Sequence, residues 1–294
     1  MINSKKAFTK KVMKKIVIGI TVVGKDREGI VAAFTNFIFS KKGNIETVNQ
    51  NVIKGLFGMY LEASFSGNII VKKFDSEIQK LGKKEKMDVS THHETNTQKN
   101  IAVFVTKEPL CLQTILSAAK KKSLKGKISV IIGTEKTLEP LAKKAKIPFV
   151  AIEEKVQEKA EEKIIQVCKK YNIDLISLAR YMRILSPNFV WRYPNRIINI
   201  HPSLLPAFPG ALAYAQAYER GTKIVGVTSH YVTENLDQGP IIFQDSFKVD
   251  PNDTLEIIKK KGQRLEANTL LKAMKMHLKN KLDVRWRKVH IKSR

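Results

Sequence analysis

The stretch Asn100-Ile-Ala-Val-Phe-Val-Thr-Lys-Glu-Pro-Leu-Cys-Leu-Gln-Thr-Ile-Leu116 opens the larger part of this chain with a strand. From Ile101 to Val249 strands and helices alternate, which predicts an α/β fold built on a mostly parallel sheet with helices on both faces. In such sheets ligands collect at the carboxyl ends of the strands. The opening stretch has no glycine. Lys107 can meet an anion as a point charge, but Glu108 beside it and Pro109, which lacks an N–H, make a poor phosphate cradle.

Two later segments carry chemistry. Ile197-Ile-Asn-Ile-His-Pro-Ser-Leu-Leu-Pro-Ala-Phe-Pro-Gly210 begins as a β-branched strand and then becomes a long ordered loop under its Pro and Gly residues. Asn199 and His201 are two apart, so an extended strand turns both to one face. There an amide N–H and an imidazole N–H can serve one developing oxyanion. Ile224-Val-Gly-Val-Thr is a further strand, placed with Asn199 among the ligand-gathering strand ends, and the turn-rich stretch after it brings Asp237 just before Gly239-Pro240. A carboxylate near a histidine can orient it, hold a water and take that water's proton. Taken singly, each residue has a structural reading: Asn199 and His201 as a satisfied core pair, Asp237 as a turn aspartate.

The amino-terminal third reads as a separate module. Lys15 to Val23 is a buried strand, and Gly24-Lys-Asp-Arg-Glu-Gly-Ile30 turns into a helix with Ile30, Phe34, Phe37 and Ile38 at helical spacing. Gly43 reads as its C-cap, Ile45 to Val52 and Met59 to Phe65 as strands, Phe74 to Leu81 as a second helix, and Met87 to Thr91 as a short last strand. This order is ferredoxin-like α+β. Thr91 to Lys99 reads as a polar linker in which His92, His93 and Glu94 make a solvated loop rather than a metal site. Domain boundaries are set at residues 14–92 and 98–294. At the other end Asp253 is expected to cap a helix reaching Leu278, and Leu282 to Ile291 to form an edge strand or hairpin.

The 294 residues can bury two cores, and the 43% hydrophobic fraction is ordinary for globular chains. Two cysteines, Cys111 and Cys168, make neither a disulfide framework nor a metal cluster and suit a reducing compartment. No apolar run is long enough for a membrane span, and the lysines from Lys5 to Lys15 lack a signal-peptide core, so a cytoplasmic protein is expected. The formal charge of +26 raises nucleic-acid binding as a rival. The lysines are dispersed, as in Lys120 to Lys122, Lys143-Lys144 and Lys259 to Lys261, and lack interleaved aromatics for base stacking. Neither a nucleic-acid nor a membrane partner is expected.

These segments resemble the folate-dependent formyltransferase family, whose catalytic Asn, His and Asp match Asn199, His201 and Asp237. Leu178-Ala-Arg-Tyr-Met-Arg-Ile-Leu-Ser-Pro187 resembles that family's folate loop. The resemblance implies a folate pocket lined by Met182, Arg183, Ile184 and Leu185 and closed by Thr233, Glu234, Leu236 and Asp237. The Val-x-Lys-Glu opening, Pro194-Asn-Arg-Ile-Ile-Asn-Ile-His and Gln216-Ala-Tyr-Glu-Arg-Gly221 are similar to formyltetrahydrofolate deformylases. The amino-terminal Asp-Arg-x-Gly-Ile turn and Gly-Asn-Ile resemble an ACT domain, the module that precedes the hydrolase in deformylases.

The resemblance implies hydrolysis of 10-formyltetrahydrofolate to formate and tetrahydrofolate, with folate as substrate and neither metal nor added cofactor. It implies a homo-oligomer, with Asp26, Arg27, Gly29 and Ile30 at a subunit contact or an amino-acid effector site. The chain departs from the deformylase pattern at His201-Pro-Ser203, at Leu110, where the family tends to carry His, and across Leu212-Ala-Tyr-Ala215, where Leu212, Ala213 and Ala215 stand in a stretch in which the family tends to carry Arg, Pro and His. These changes keep two alternatives open: transfer to another amine, and folate binding without turnover.

Overall fold

The computed structural model describes residues 15–66, 69–93 and 97–292. Expectations placed on residues 1–14 and on Glu94 lie outside them. The chain forms two compact units, up to Asn96 and from Thr97.

The first unit runs β1 (Lys15–Lys25), α1 (Ile30–Ser40), β2 (Gly43–Ile53), β3 (Leu56–Ser66), α2 (Val71–Lys84) and β4 (Asp88–His93). Its sheet has the order β2-β3-β1-β4, and each of its pairings is antiparallel. Ile18, Ile20 and Val22 of β1 pack with Phe34 and Ile38 of α1 and Phe74 and Ile78 of α2 in a core of their own. Two expectations are corrected here. Gly43 is not the cap of α1: Lys42 takes the left-handed conformation at φ 59°, and Gly43 opens β2, where a Cβ would stand 2.5 Å from the Phe65 ring. His92 and His93 are strand residues rather than linker, because β4 pairs them with Gly19 and Ile18.

The second unit contains β5 (Lys99–Val105), α3 (Leu110–Lys120), β6 (Gly126–Gly133), α4 (Glu139–Lys144), β7 (Phe149–Ala151), α5 (Gln157–Lys170), β8 (Leu175–Ala179), α6 (Pro187–Val190), β9 (Ile197–His201), α7 (Ala213–Glu219), β10 (Ile224–Tyr231), β11 (Ile241–Lys248) and α8 (Leu255–Leu278). The hairpin β12 (Leu282–Arg285) and β13 (Lys288–Ile291) follows. Seven strands lie in the order β11-β10-β9-β8-β5-β6-β7, parallel from β9 through β7. Alternation along the strands feeds two cores. Ile101, Val103 and Val105 meet α3 and α8 on one face; Ala102 and Phe104 meet α5 and α6 on the other. The helix α8 is capped by Thr254, whose hydroxyl accepts from Ile257 N at 3.4 Å. The expected cap, Asp253, is instead bound to Lys261 at 2.7 Å, since an ammonium in the second turn of the helix competes for its carboxylate.

β10 departs from the parallel pattern. It runs antiparallel to both β9 and β11, so its far end lies beside the amino end of β9, where Val232 N donates to Ile197 O at 2.9 Å. The segment that carries Asp237 therefore does not start from a common carboxyl edge, as expected. It leaves from the opposite end and folds back.

Candidate active site

Asn199 pairs in register with Leu178 on β8 and with His230 on β10. Ile198 and Ile200 point into the α3/α8 core, so Asn199 and His201 share the other face, the one covered by α5 and α6. The apolar packing of that face ends at Ile197 and Val232, and the polar side chains lie beyond it.

Four side chains gather here as two adjacent pairs, Asn199 with His230 and His201 with Asp237. Asn199 Nδ2 lies 3.3 Å from His230 Nε2, and His230 Nδ1 lies 2.9 Å from Tyr231 O. A carbonyl only accepts, so Nδ1 carries the hydrogen and Nε2 accepts from the amide. Burial holds the pKa of His230 below the ordinary histidine value, although the Tyr231 carbonyl and Asp237 pull the other way, and a neutral ring is what this arrangement needs. His201 places Nδ1 3.3 Å from Asp237 Oδ2 and Nε2 2.9 Å from Phe208 O. Asp237 Oδ2 also accepts from Gly210 N at 2.9 Å, while Oδ1 stands 3.8 Å from His230 Nε2, beyond a hydrogen bond.

Local backbone geometry delivers Asp237. It sits at φ 56°, a left-handed conformation that aspartate tolerates better than most residues. Its carboxylate side chain is only 5% exposed. Two residues on, Gly239 has no room for a side chain, since a Cβ there would stand 1.7 Å from Tyr231 O. Tyr231 N donates to Pro240 O at 2.9 Å and closes the return. After His201 the loop is fixed from β10: the Thr228 hydroxyl donates to Ser203 O at 2.7 Å and accepts from Leu205 N at 3.0 Å.

The segment from Arg180 to Ser186 has no regular structure. Met182 and Ile184 are 67% and 65% exposed, an unusual state for apolar residues beside a core. Leu185, expected to line the same pocket, is 7% exposed and packs into the α5/α6 core, so only its main chain is presented. The Arg183 carbonyl and both main-chain groups of Leu185 make no hydrogen bond among the described residues. Across the gap, Glu234 accepts from Trp191 Nε1 at 3.4 Å, Thr233 bonds to Asn235 O at 3.2 Å, and Leu236 is exposed.

A second polar cluster lies at the ends of β5 and β8. Glu266 is fully buried, accepts from Tyr214 OH at 2.7 Å and pairs with Arg180 at 3.2 Å. Burial raises its pKa despite Arg180. A small cavity beside it is lined by Glu108, Leu110, Cys111, Arg180, Gln263 and Glu266, and Arg180 Nε is buried without a partner. The altered position Leu110 thus forms part of this wall. In the altered stretch, Leu212 takes φ 60° ahead of α7, and Ala213 is buried. In the first unit, Arg27 is held by Glu85 and Glu28 O, Asp26 N donates to Gly55 O at 2.8 Å, and Gly29 caps α1 at φ 81°. Ile30, the last residue of that turn, packs its side chain into the unit's core.

The residue that sequence reasoning missed is His230. It stands between the strand that opens at Ile224 and the turn that carries Asp237, but its role depends on register with Asn199, which no spacing along the chain reveals.

Residues 99–274 match the family model described as formyl transferase, and residues 16–92 match that of an ACT domain. Over 265 residues, 88% of each chain, the sequence is 38% identical to formyltetrahydrofolate deformylase of Bacillus subtilis. The chain belongs to the formyltetrahydrofolate deformylase family. A crystal structure of a formyltetrahydrofolate deformylase from Pseudomonas syringae is similar over 95% of both chains, with a TM-score of 0.65 and 29% identity. Glycinamide ribonucleotide transformylase 1 of Symbiobacterium toebii covers 69% of this chain and 97% of its own, with a TM-score of 0.64 and 31% identity. The expected module order, an ACT domain ahead of a formyltransferase-type sheet, is therefore that of the deformylases.

Proposed function

We propose that this chain hydrolyses 10-formyltetrahydrofolate to formate and tetrahydrofolate. The observation that carries the reading is the juxtaposition of the pairs Asn199–His230 and His201–Asp237 beside a loop with open main-chain edges. The pteridine edge pairs with the Arg183 carbonyl and the Leu185 main chain, with Met182 and Ile184 against its faces and Thr233 to Leu236 closing the far side. One Asn199 N–H is taken by His230; the other meets the formyl oxygen. Asp237 removes a proton from water as the water oxygen attacks the formyl carbon, and His201 and Asn199 share the developing negative charge. For His201 Nε2 to serve that oxygen, the Phe208 carbonyl must turn away as substrate enters. Collapse breaks the bond to N10, which takes its proton from His201, and Asp237 returns a proton to His201 Nδ1. Formate and tetrahydrofolate leave with atoms balanced.

The same reading makes the protein a cytoplasmic homo-oligomer whose formate supplies purine synthesis and balances the one-carbon pool. In it, the turn from Asp26 to Gly29 contributes to an amino-acid effector site or a subunit contact. Folate brings the one-carbon unit, so no further cofactor is required.

The test is formate release from 10-formyltetrahydrofolate without added amine. Asp237→Asn keeps an acceptor for Gly210 N but is not a base, so kcat should fall by about a thousandfold while folate still binds. Near-normal turnover by this variant would remove Asp237 from the reaction. No release by the unaltered protein with folate bound would point to an amine acceptor or a sensing role.

A further inference from the structure

The loop that presents Met182 to Leu185 is not self-supporting. Arg180 stands at φ 60° and the segment has no internal ladder, so its shape is imposed from outside. Most of that support comes from the first turns of α5. Glu161 is 4% exposed, unusual for a carboxylate. Its Oε1 accepts from Ser186 N at 2.7 Å and its Oε2 from the Ser186 hydroxyl. Ser186 Oγ in turn accepts from Phe189 N at 3.3 Å and caps α6. One turn earlier on α5, Gln157 Nε2 donates both to Glu161 Oε1 at 3.1 Å and to Ile184 O at 2.9 Å. Two outer contacts complete the support: Arg183 donates to Glu154 O at 2.8 Å, and Met182 N donates to the Thr106 hydroxyl at 3.1 Å.

Only two main-chain groups between Met182 and Leu185 are bonded among the described residues. Met182 N and Ile184 O are tied down, whereas the Arg183 carbonyl and the Leu185 main chain between and after them are left open. The Gln157 amide occupies the Ile184 carbonyl, which would otherwise compete with its neighbours for a ligand's donors. Glu161 fixes the residue at which the loop re-enters regular structure. A strap of this kind sets which main-chain atoms face outward and touches no ligand itself.

We propose that Glu161 and Gln157 are positioning residues for the folate ligand, acting through Ser186 and Ile184 to hold the loop in its binding shape. This rests on the reading that the loop binds folate. Their replacement should weaken substrate binding and spare the chemical step, because neither contacts Asn199, His201 or Asp237.

The experiment measures steady-state hydrolysis and direct binding of tetrahydrofolate for the full chain and for Gln157→Ala, Glu161→Gln and, as a control on the exposed side of the same helix, Glu162→Gln. In Gln157→Ala, KM and Kd should rise about tenfold with kcat unchanged, the loss expected for a hydrogen-bonded positioning contact. Glu161→Gln should give a similar or larger rise, and the control none. Gln157 is exposed, so its variant decides the matter even if Glu161→Gln does not fold. Unchanged KM and Kd in Gln157→Ala, or a fall in kcat alone, would overturn the proposal. Absence of folate binding by the unaltered protein would instead defeat the reading on which it rests.

Discussion

Asn199 is aimed by its neighbour across the sheet. Because His230 Nδ1 is committed to Tyr231 O, Nε2 is the acceptor that fixes one amide hydrogen and so points the other. Burial lowers the His230 pKa, so this acceptor persists through neutral pH and is lost only when acid protonates the ring below the ordinary histidine range. Replacing His230 by Ala leaves the amide free to rotate; kcat should fall about tenfold to a hundredfold with KM nearly unchanged. Steady-state kinetics on that variant decides it, and an unchanged kcat would show that Asn199 is oriented otherwise. At this scale Asn199, His201 and Asp237 were legible because their spacing within two segments is itself the signal. His230 was not, since a residue that acts across a strand pair has no spacing to read. That Leu185 offers its main chain and not its side chain was not legible for a related reason: exposed Met182 and Ile184 and buried Leu185 are equally apolar, and only the turn of the backbone separates them.

Between elements, α8 is tied to β10 by a polar contact: the Tyr231 hydroxyl and His277 Nδ1 share a hydrogen bond at 2.8 Å. Burial, aided by Lys99 and Arg196, brings the pKa of His277 down to about 4. A histidine with a depressed folded-state pKa opposes folding in acid, because the unfolded chain takes up the proton first. Stability is therefore full above the unfolded value near 6.5 and declines as pH falls toward the folded one. By pH 5 the loss from this group should be about 2 kcal/mol. Denaturant unfolding at pH 7.5 and pH 5 should show it, with His230 adding to the total in the same direction, and His277→Gln should shrink the difference by about that amount; an equal difference in the variant would assign the acid sensitivity elsewhere. Strands and helices of the large sheet were readable from their β-branched runs and helical periodicity. The direction of β10 was not, because Ile224 to Thr228 reads as the same buried strand whichever way it runs. Caps were misread where a neighbour won the competition, as Lys261 does for Asp253.

Across the molecule, the two units keep separate hydrophobic cores, and their order along the chain was visible in the sequence because each has its own succession of elements. The excess of 53 basic over 27 acidic residues acts over longer distances. An anionic folate, above all one with a polyglutamate tail, should be drawn in by that field. The value of kcat/KM should then fall severalfold between about 20 mM and about 300 mM salt, as screening shortens the reach of the charges. The fall should be steeper for the polyglutamate than for the monoglutamate. Identical salt curves for the two substrates would show that the charge does not steer them.

The reversed direction of β10 has a consequence for how this chemistry is inherited. Because β10 runs back along β9 and its loop returns to the same face, everything assigned to folate and to the formyl carbon, apart from the supports Thr106, Glu154, Gln157 and Glu161, falls within one uninterrupted run from Arg180 to Gly239. A single crossover on either side of that run would move the reaction whole into another sheet of this kind, while the elements outside it drift to meet other acceptors.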